Sequence, residues 1–254
     1  MIKSALDLTS LGLPSFFNDH YKQYPGLSPV QLKAVEAGLL EGKSMLVCAP
    51  TGSGKTLVAT IALVKALTNS NQLNSNNNSI SNNNNGTGKT NNLDNTDYIN
   101  SNSKAIYLVP LKALANEKFT EFQKLFSNTG LKVVISTGEV DSDSSYLNNY
   151  DLLILTTEKL DSLLRHNCPW LNKVKVVVVD EIHLLNDPSR GPTLEIIITL
   201  LKSLIKPQLI GLSATIGNQE ELAQWLEAEL VADSWRPVEL KKGINLKGEV
   251  EFYP

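Results

Sequence analysis

An apolar run, Met45 to Cys48, stops at Ala49-Pro50-Thr51-Gly52-Ser53-Gly54-Lys55-Thr56, and a second apolar stretch, Leu57 to Leu63, starts at once. Nothing else in the chain restricts its fold as tightly. Strand, glycine loop and helix in direct succession require a sharp turn at the strand's carboxyl end. Gly52 and Gly54 let the backbone curl so that its N–H groups point inward around an anion. The helix opening at the loop adds its positive N-terminal end. Lys55 supplies a point charge for outer phosphates, and the Thr56 hydroxyl can ligate Mg²⁺. Pro50, Thr51, Gly52, Ser53, Gly54, Lys55 and Thr56 are therefore expected to hold a nucleoside triphosphate.

The rest of the chain alternates in kind. Strands are expected at Ala105 to Val109, Leu131 to Ser136, Leu152 to Thr156, Val174 to Val179 and Gln208 to Leu212. Helices are expected at Leu111 to Phe126, Glu158 to Arg165, Thr193 to Ile205 and Gln219 to Leu226. The run at Val174 is almost wholly β-branched, as in strands covered on both faces. Such alternation implies an α/β fold: a mainly parallel sheet with helices on both faces and its site at the strands' carboxyl ends. Upstream, Ser28 can cap a helix with Pro29 in its first turn and Val30, Ala34, Val35 and Leu39 on one face, ended by Gly42. Residues 1–28 read as an irregular segment carrying Phe16, Phe17, Tyr21 and Tyr24.

One stretch breaks the alternation. Asn69 to Asn102 is dominated by Asn and Ser, with too little apolar surface to offset its ordering entropy, and reads as a disordered insertion. Its Gly86-Thr87-Gly88-Lys89-Thr90 imitates a phosphate loop but has no strand before it and no helix after it. The topology sends the insertion out at the sheet edge opposite the nucleotide. A net charge of −3 gives no global sign of nucleic-acid binding, so any such contact must be local. The two cysteines, Cys48 and Cys168, have no neighbours at metal-binding spacing, which points to a reducing compartment without zinc. No apolar run is long enough for a membrane span and the start lacks a secretion signal, so the expected location is cytoplasmic, or nuclear if eukaryotic.

Val176 to Val179 delivers Asp180-Glu181-Ile182-His183 to a loop edge. Asp180 can hold Mg²⁺, mainly through its water shell, and Glu181 is then placed to orient and deprotonate an attacking water. On its own such a pair reads first as an exposed turn or a helix cap, and His183 as a structural loop histidine; joined to the phosphate loop, the Asp-Glu pair reads as functional. Ser213-Ala214-Thr215 follows another apolar strand; its hydroxyls can bond to the acidic loop and register phosphate, or simply cap a helix.

In this order the pieces resemble the first RecA-like domain of a superfamily 2 helicase. The matching stretches are Gln31 after Ser28-Pro29, Ala49 to Thr56, Pro110 to Leu114, Ser136-Thr137-Gly138, Thr156 to Lys159, Asp180 to His183 and Ser213 to Thr215. His183 is similar to the DExH pattern. Leu184 to Asp187, Arg190-Gly191 and Glu195 resemble the Ski-like branch. Pro110 to Lys118, Leu160 to Leu163 and Trp235 to Val238 are similar to archaeal DNA-repair helicases of that branch, relatives of the helicase part of DNA polymerase theta. Glu139-Val140-Asp141 departs from the pattern.

The resemblance implies an ATP-dependent helicase translocating 3′ to 5′ on single-stranded or forked DNA, with RNA left open as the Ski-like alternative. It implies Gln31 reading the adenine edge, with Phe16, Phe17 or Tyr24 stacking on the base, and His183, Ser213 and Thr215 coupling hydrolysis to movement. Pro110, Lys112, Gly138, Thr157 and Glu158 would line the nucleic-acid face, gripping phosphates without reading bases. The implied domain spans 29–234, with 235–254 as an exit linker toward a second RecA-like domain whose arginines would complete catalysis. Alone, the chain is then expected to bind Mg-ATP, hydrolyse it slowly and unwind nothing. A stand-alone, ATP-gated binding module is the non-enzymatic alternative.

Overall fold

Strands that are apolar at consecutive positions need cover on both sides, and they receive it. The computed structural model describes residues 8–24, 26–68, 103–138, 145–166, 168–239, 241 and 243–253. Its centre is one parallel sheet of seven strands: β1 (Met45–Cys48), β2 (Lys104–Val109), β3 (Val133–Ser136), β4 (Leu152–Thr156), β5 (Val174–Val179), β6 (Gln208–Ser213) and β7 (Glu229–Ala232). They lie in the order β3-β4-β2-β5-β6-β1-β7, all pairings being parallel.

The period of two along each strand sorts side chains between two cores. Met45 and Val47 of β1, with Ala105, Tyr107 and Val109 of β2, face α1 (Ser15–Tyr21), α2 (Pro29–Glu36), α3 (Lys55–Leu67) and α4 (Lys112–Leu125). Leu46, Cys48, Ile106 and Leu108 face α5 (Thr157–Arg165), α6 (Gly191–Leu204) and α7 (Gln219–Leu226). Each fully buried aliphatic side chain contributes about 1.5–3 kcal/mol, which is why a four-residue strand such as β1 is secure at the sheet's interior.

The structure departs from the sequence reading at several ends. Helix α2 stops at Glu36, and Gly38, at φ +102°, ends it before Gly42 is reached. Strand β3 begins at Val133, while α6 begins two residues early at Gly191. There a Cβ would stand 2.2 Å from the Leu185 carbonyl oxygen, so only glycine lets the helix seat on the preceding turn. Phe17 is fully buried, Phe16 packs edge-on to Phe126 at 6.0 Å, and Leu8, Leu11 and Leu13 join the same core. Residues 8–21 are thus built into the domain.

Strand β7 and the tail were illegible for a physical reason. Only Val231 of β7 is buried, so that edge strand has no alternation to read. The tail folds as an antiparallel hairpin, β8 (Gly243–Leu246) and β9 (Glu249–Phe252), closed by Lys247 at φ +53° and Gly248 at φ +94°. Two positive φ values are the mark of a type I′ turn, and Lys-Gly is a weaker written signal for it than Asn-Gly. Asn69 to Asn102, with its imitation loop, and Glu139 to Asp141 lie outside the described residues. Their flanks are informative: Thr68 follows the far end of α3 and Ser103 precedes β2, both at the strands' amino ends. Among the described residues no helix is long and apolar enough to cross a membrane.

Candidate functional site

Every candidate residue lies at or beyond a strand's carboxyl end or on the helix entry leading to it, and the strand order divides them into two groups. The phosphate loop follows β1, Asp180 to His183 follow β5, and Ser213 ends β6; these three strands are neighbours. Pro110 and Lys112 follow β2, Gly138 follows β3, and Thr157 and Glu158 follow β4, which form the other half. A small cleft bounded by Pro110, Thr157, Asp180, Leu184 and Arg190 connects the halves. Lys112 and Glu158 are exposed, Pro110 and Gly138 half-buried, and Thr157 buried at the start of α5.

The loop itself is drawn tight. Gly52 at φ +81° and Gly54 at φ +97° occupy the left-handed region that side chains disfavour. At Gly54 a Cβ would also stand 2.2 Å from Gln31 Nε2. That closeness is functional in the fold: Gln31 Nε2 donates to the Gly54 carbonyl at 3.0 Å, and the Ser28 hydroxyl donates to the Ser53 carbonyl at 2.9 Å. The Ser28 N–H donates in turn to Gln31 Oε1 at 2.8 Å. Gln31 therefore clamps the start of α2 onto the loop, with one N–H and one lone pair left for another partner.

Lys55 Nζ turns back on the loop and donates to the carbonyls of Ala49 at 2.6 Å and Pro50 at 3.0 Å. Burial lowers its ammonium below the usual lysine range; Glu181 and then Asp180 oppose that, and Arg236 adds slightly to it. Both acidic groups are thus within electrostatic reach of the loop lysine. Thr56 follows at the second residue of α3, half-buried.

The acidic turn is strained and well anchored. Glu181 adopts φ +52°, a conformation costing a non-glycine residue roughly 1–2 kcal/mol. Asp180 N–H donates to the Leu108 carbonyl at 2.9 Å. Each carboxylate oxygen of Asp180 accepts one bond: Oδ1 from the Glu181 N–H at 3.0 Å, Oδ2 from the Tyr107 hydroxyl at 2.9 Å. Burial, and next the negative charge of Asp180, push the Tyr107 phenol well above its ordinary pKa, so it stays a protonated donor. Ile182 is buried against Gly211 of β6. His183 Nδ1 lies 3.3 Å from Glu181 Oε2 without making a hydrogen bond.

The Ser213 and Thr215 hydroxyls do not reach the acidic turn by any hydrogen bond among the described residues. Ser213 Oγ is buried beside the Cys48 thiol, its cross-strand neighbour, and Thr215 is exposed beyond β6. Ser213 shares the sheet face of Gly211, on which Ile182 packs, but its side chain sits level with Cys48. Among the described residues, the buried Ser53 Oγ and His183 Nδ1 of this site have no hydrogen-bond partner, and Ser213 Oγ has only the weak Cys48 thiol beside it. Buried polar groups are nearly always paired, so this concentration, with inward-turned glycines and a cation, fits a polyphosphate. No three His, Cys, Asp or Glu side chains converge as a metal cage among the described residues. A divalent ion here would depend on phosphate oxygens, as Mg²⁺ commonly does.

Three neighbours of the site had no role in it assigned from the sequence. Tyr107 lies inside a strand run. Pro237 packs over the loop, its Cγ 4.0 Å from where a Cβ on Gly52 would be, and brings Arg236 with it. That segment is tied down by Asp233, which pairs with Lys33 Nζ at 2.8 Å and accepts from the Trp235 N–H at 2.7 Å. The aromatic residues divide: Phe17 is fully buried in the core, Phe16 is half-buried against it, and Tyr24 is 53% exposed.

Comparison with known proteins agrees with this layout. The DEAD/DEAH box helicase model matches residues 28–222. Over 227 residues, 89% of the chain, it is 47% identical to the ATP-dependent DNA helicase Hel308 of Methanococcus vannielii and 49% identical to that of Methanocaldococcus jannaschii, covering 26% and 17% of those proteins. The Hel308 of Methanocella arvoryzae is 41% identical over 97% of the chain and 30% of its own length. The chain thus spans roughly a quarter of the curated relatives it matches. Among solved structures, the DUF1998 helicase MrfA bound to DNA superposes with a TM-score of 0.66 at 22% identity, over 88% of this chain and 30% of that one, a likeness of fold.

Proposed function

Because this chain belongs to the DEAD/DEAH box helicase family, we propose that it is the ATP-binding motor domain of a DNA helicase that translocates on single-stranded DNA. One observation carries the reading: nucleotide-type residues gather on β1, β5 and β6 while strand-gripping candidates gather on β2, β3 and β4, meeting at Asp180. A motor needs that adjacency, since hydrolysis at one group must alter grip at the other.

In this reading Lys55 Nζ leaves the Ala49 and Pro50 carbonyls to neutralise the outer phosphates, aided by the loop N–H groups from Gly52 to Thr56. Thr56 and Asp180 would hold Mg²⁺, which supplies charge neutralisation across the outer phosphates. Glu181 orients water and accepts its proton; its strained backbone and 44% exposed side chain suit a group that must meet solvent and phosphate together. Gln31 offers adenine its remaining N–H and lone pair, and Tyr24, the most exposed of the three candidate aromatics, stacks on the base. His183, Ser213 and Thr215 are the coupling residues, engaging once phosphate draws the acidic turn and β6 end together. Pro110, Lys112, Gly138, Thr157 and Glu158 grip the sugar–phosphate backbone, so binding falls with salt and reads little sequence. A second RecA-like domain would complete the cleft and the strand track.

The test is equilibrium binding of a fluorescent ATP analogue and of labelled oligonucleotides. Lys55→Ala should weaken the nucleotide severely, and Mg-ATP should change affinity for single-stranded DNA. Unchanged nucleotide affinity in Lys55→Ala defeats the site assignment, and a consistent preference for RNA defeats the assignment of DNA.

A further inference from the structure

The Tyr107 hydroxyl is a buried polar group that the reading above leaves without a task. The ring is fully buried in mid-β2, packed 5.5 Å between centroids from Phe122 of α4, with Lys118 Nζ 6.0 Å above its face. Phenylalanine would fill that space as well, so packing does not explain the oxygen. What the oxygen does is donate to Asp180 Oδ2 at 2.9 Å.

Two donors hold the carboxylate at two points, Tyr107 on Oδ2 and the Glu181 N–H on Oδ1. A carboxylate has about four lone-pair sites, so roughly one per oxygen stays free, with its direction set. The donor's neutrality matters too. Lys118, 6.0 Å from the ring centroid, is paired with Glu121 at 2.9 Å. Neither of its two hydrogen-bond donors carries a charge, so they orient Asp180 without neutralising it.

We propose that Tyr107 is a positioning residue for Mg²⁺ at the nucleotide site, its hydroxyl holding Asp180 in the rotamer that receives the ion's water shell. This rests on Asp180 being the Mg²⁺-holding carboxylate. Groups behind a metal's own ligands commonly change its affinity by about 10–100-fold when removed; through intervening waters the lower end applies.

The experiment titrates Mg²⁺ into the chain with a fluorescent ATP analogue, and measures nucleotide affinity in EDTA and the thermal midpoint. Tyr107→Phe keeps the ring and removes the hydroxyl. Its EDTA affinity should match wild type, while the Mg²⁺ concentration giving half-maximal tightening rises about tenfold. Phe122→Leu loosens the same packing without touching the hydroxyl; it should lower the thermal midpoint and leave the Mg²⁺ midpoint alone. A wild-type Mg²⁺ midpoint in Tyr107→Phe, or an equal shift in Phe122→Leu, overturns the proposal. Asp180→Asn separates the two levels. If it abolishes Mg²⁺ dependence while Tyr107→Phe changes nothing, only the positioning role falls; if it keeps wild-type dependence, the assignment of Asp180 itself is wrong.

Discussion

Gly211→Ala tests whether the acidic turn is held by the neighbouring strand. Gly211 lies in β6 beside Val179, and a Cβ there would come within 2.9 Å of Ile182 Cδ1, 3.3 Å of Leu46 Cδ1 and 3.4 Å of Ile182 Cγ2. Carbon atoms pack best at about 3.5–4.0 Å, so the closest contact overlaps by over half an ångström at a buried side chain. Overpacking of this kind costs about 1–3 kcal/mol. Gly211 is not among the positive-φ residues, so alanine also gains about 0.4–1 kcal/mol through the unfolded chain. The net is a loss of about 1–2 kcal/mol, or roughly 2–8 °C in thermal midpoint for a chain of this size. Ile182→Val removes the clashing methyl and alone costs about 0.5–1.5 kcal/mol. The double variant should then be more stable than the sum of the two losses by about 1 kcal/mol, outside the roughly 0.3–0.5 kcal/mol scatter of independent sites. Urea unfolding of the four proteins measures this. Additive losses would refute the packing argument, and with it the view that β6 sets the position of Glu181.

Glu181→Gln should keep nucleotide affinity and lose hydrolysis, measured by analogue binding and phosphate release; near-normal turnover would remove Glu181 as the base. The chain by itself should hydrolyse ATP slowly, because arginines from a second domain contribute roughly 10³–10⁵ in rate in such motors; robust duplex unwinding by these residues alone would contradict that. Replacing residues 69–102 by a short Gly-Ser linker should leave nucleotide affinity unchanged, since Thr68 and Ser103 stand at the strands' amino ends. Asp233 resists burial, which raises its pKa, because Lys33 and the Trp235 N–H outweigh it and hold the carboxyl below the usual range. A depressed folded pKa means stability present above the unfolded value of about 3.9 and lost as pH falls through the folded one. Asp233→Asn should therefore flatten the acid limb of the stability curve below about pH 4, as read by thermal midpoint against pH.

The local parts of this domain were legible because their signals are local. Gly52, Gly54 and Lys55 lie within four residues, so the turn they specify is written in one short stretch. The Val176 to Val179 run can only be a covered strand, and it ends where Asp180 must emerge. Gln31 was readable as a site residue, but not its use as a clamp on Gly54, since 23 positions separate them. Ser213 was read toward the acidic turn, yet which side chain stands beside its hydroxyl depends on the pairing of β6 with β1, which sets Cys48 there.

What the sequence alone determined is the alternation of strand and helix, the phosphate loop and the acidic strand end, each set by spacing within one element. What only the tertiary structure decided is the strand order, and with it the separation of nucleotide candidates from strand-gripping ones. It also brought Tyr107 to Asp180 across 73 positions, and laid Pro237 over Gly52. Those are meetings between elements, governed by which sheet edge each strand takes, and no pattern confined to neighbouring residues encodes them.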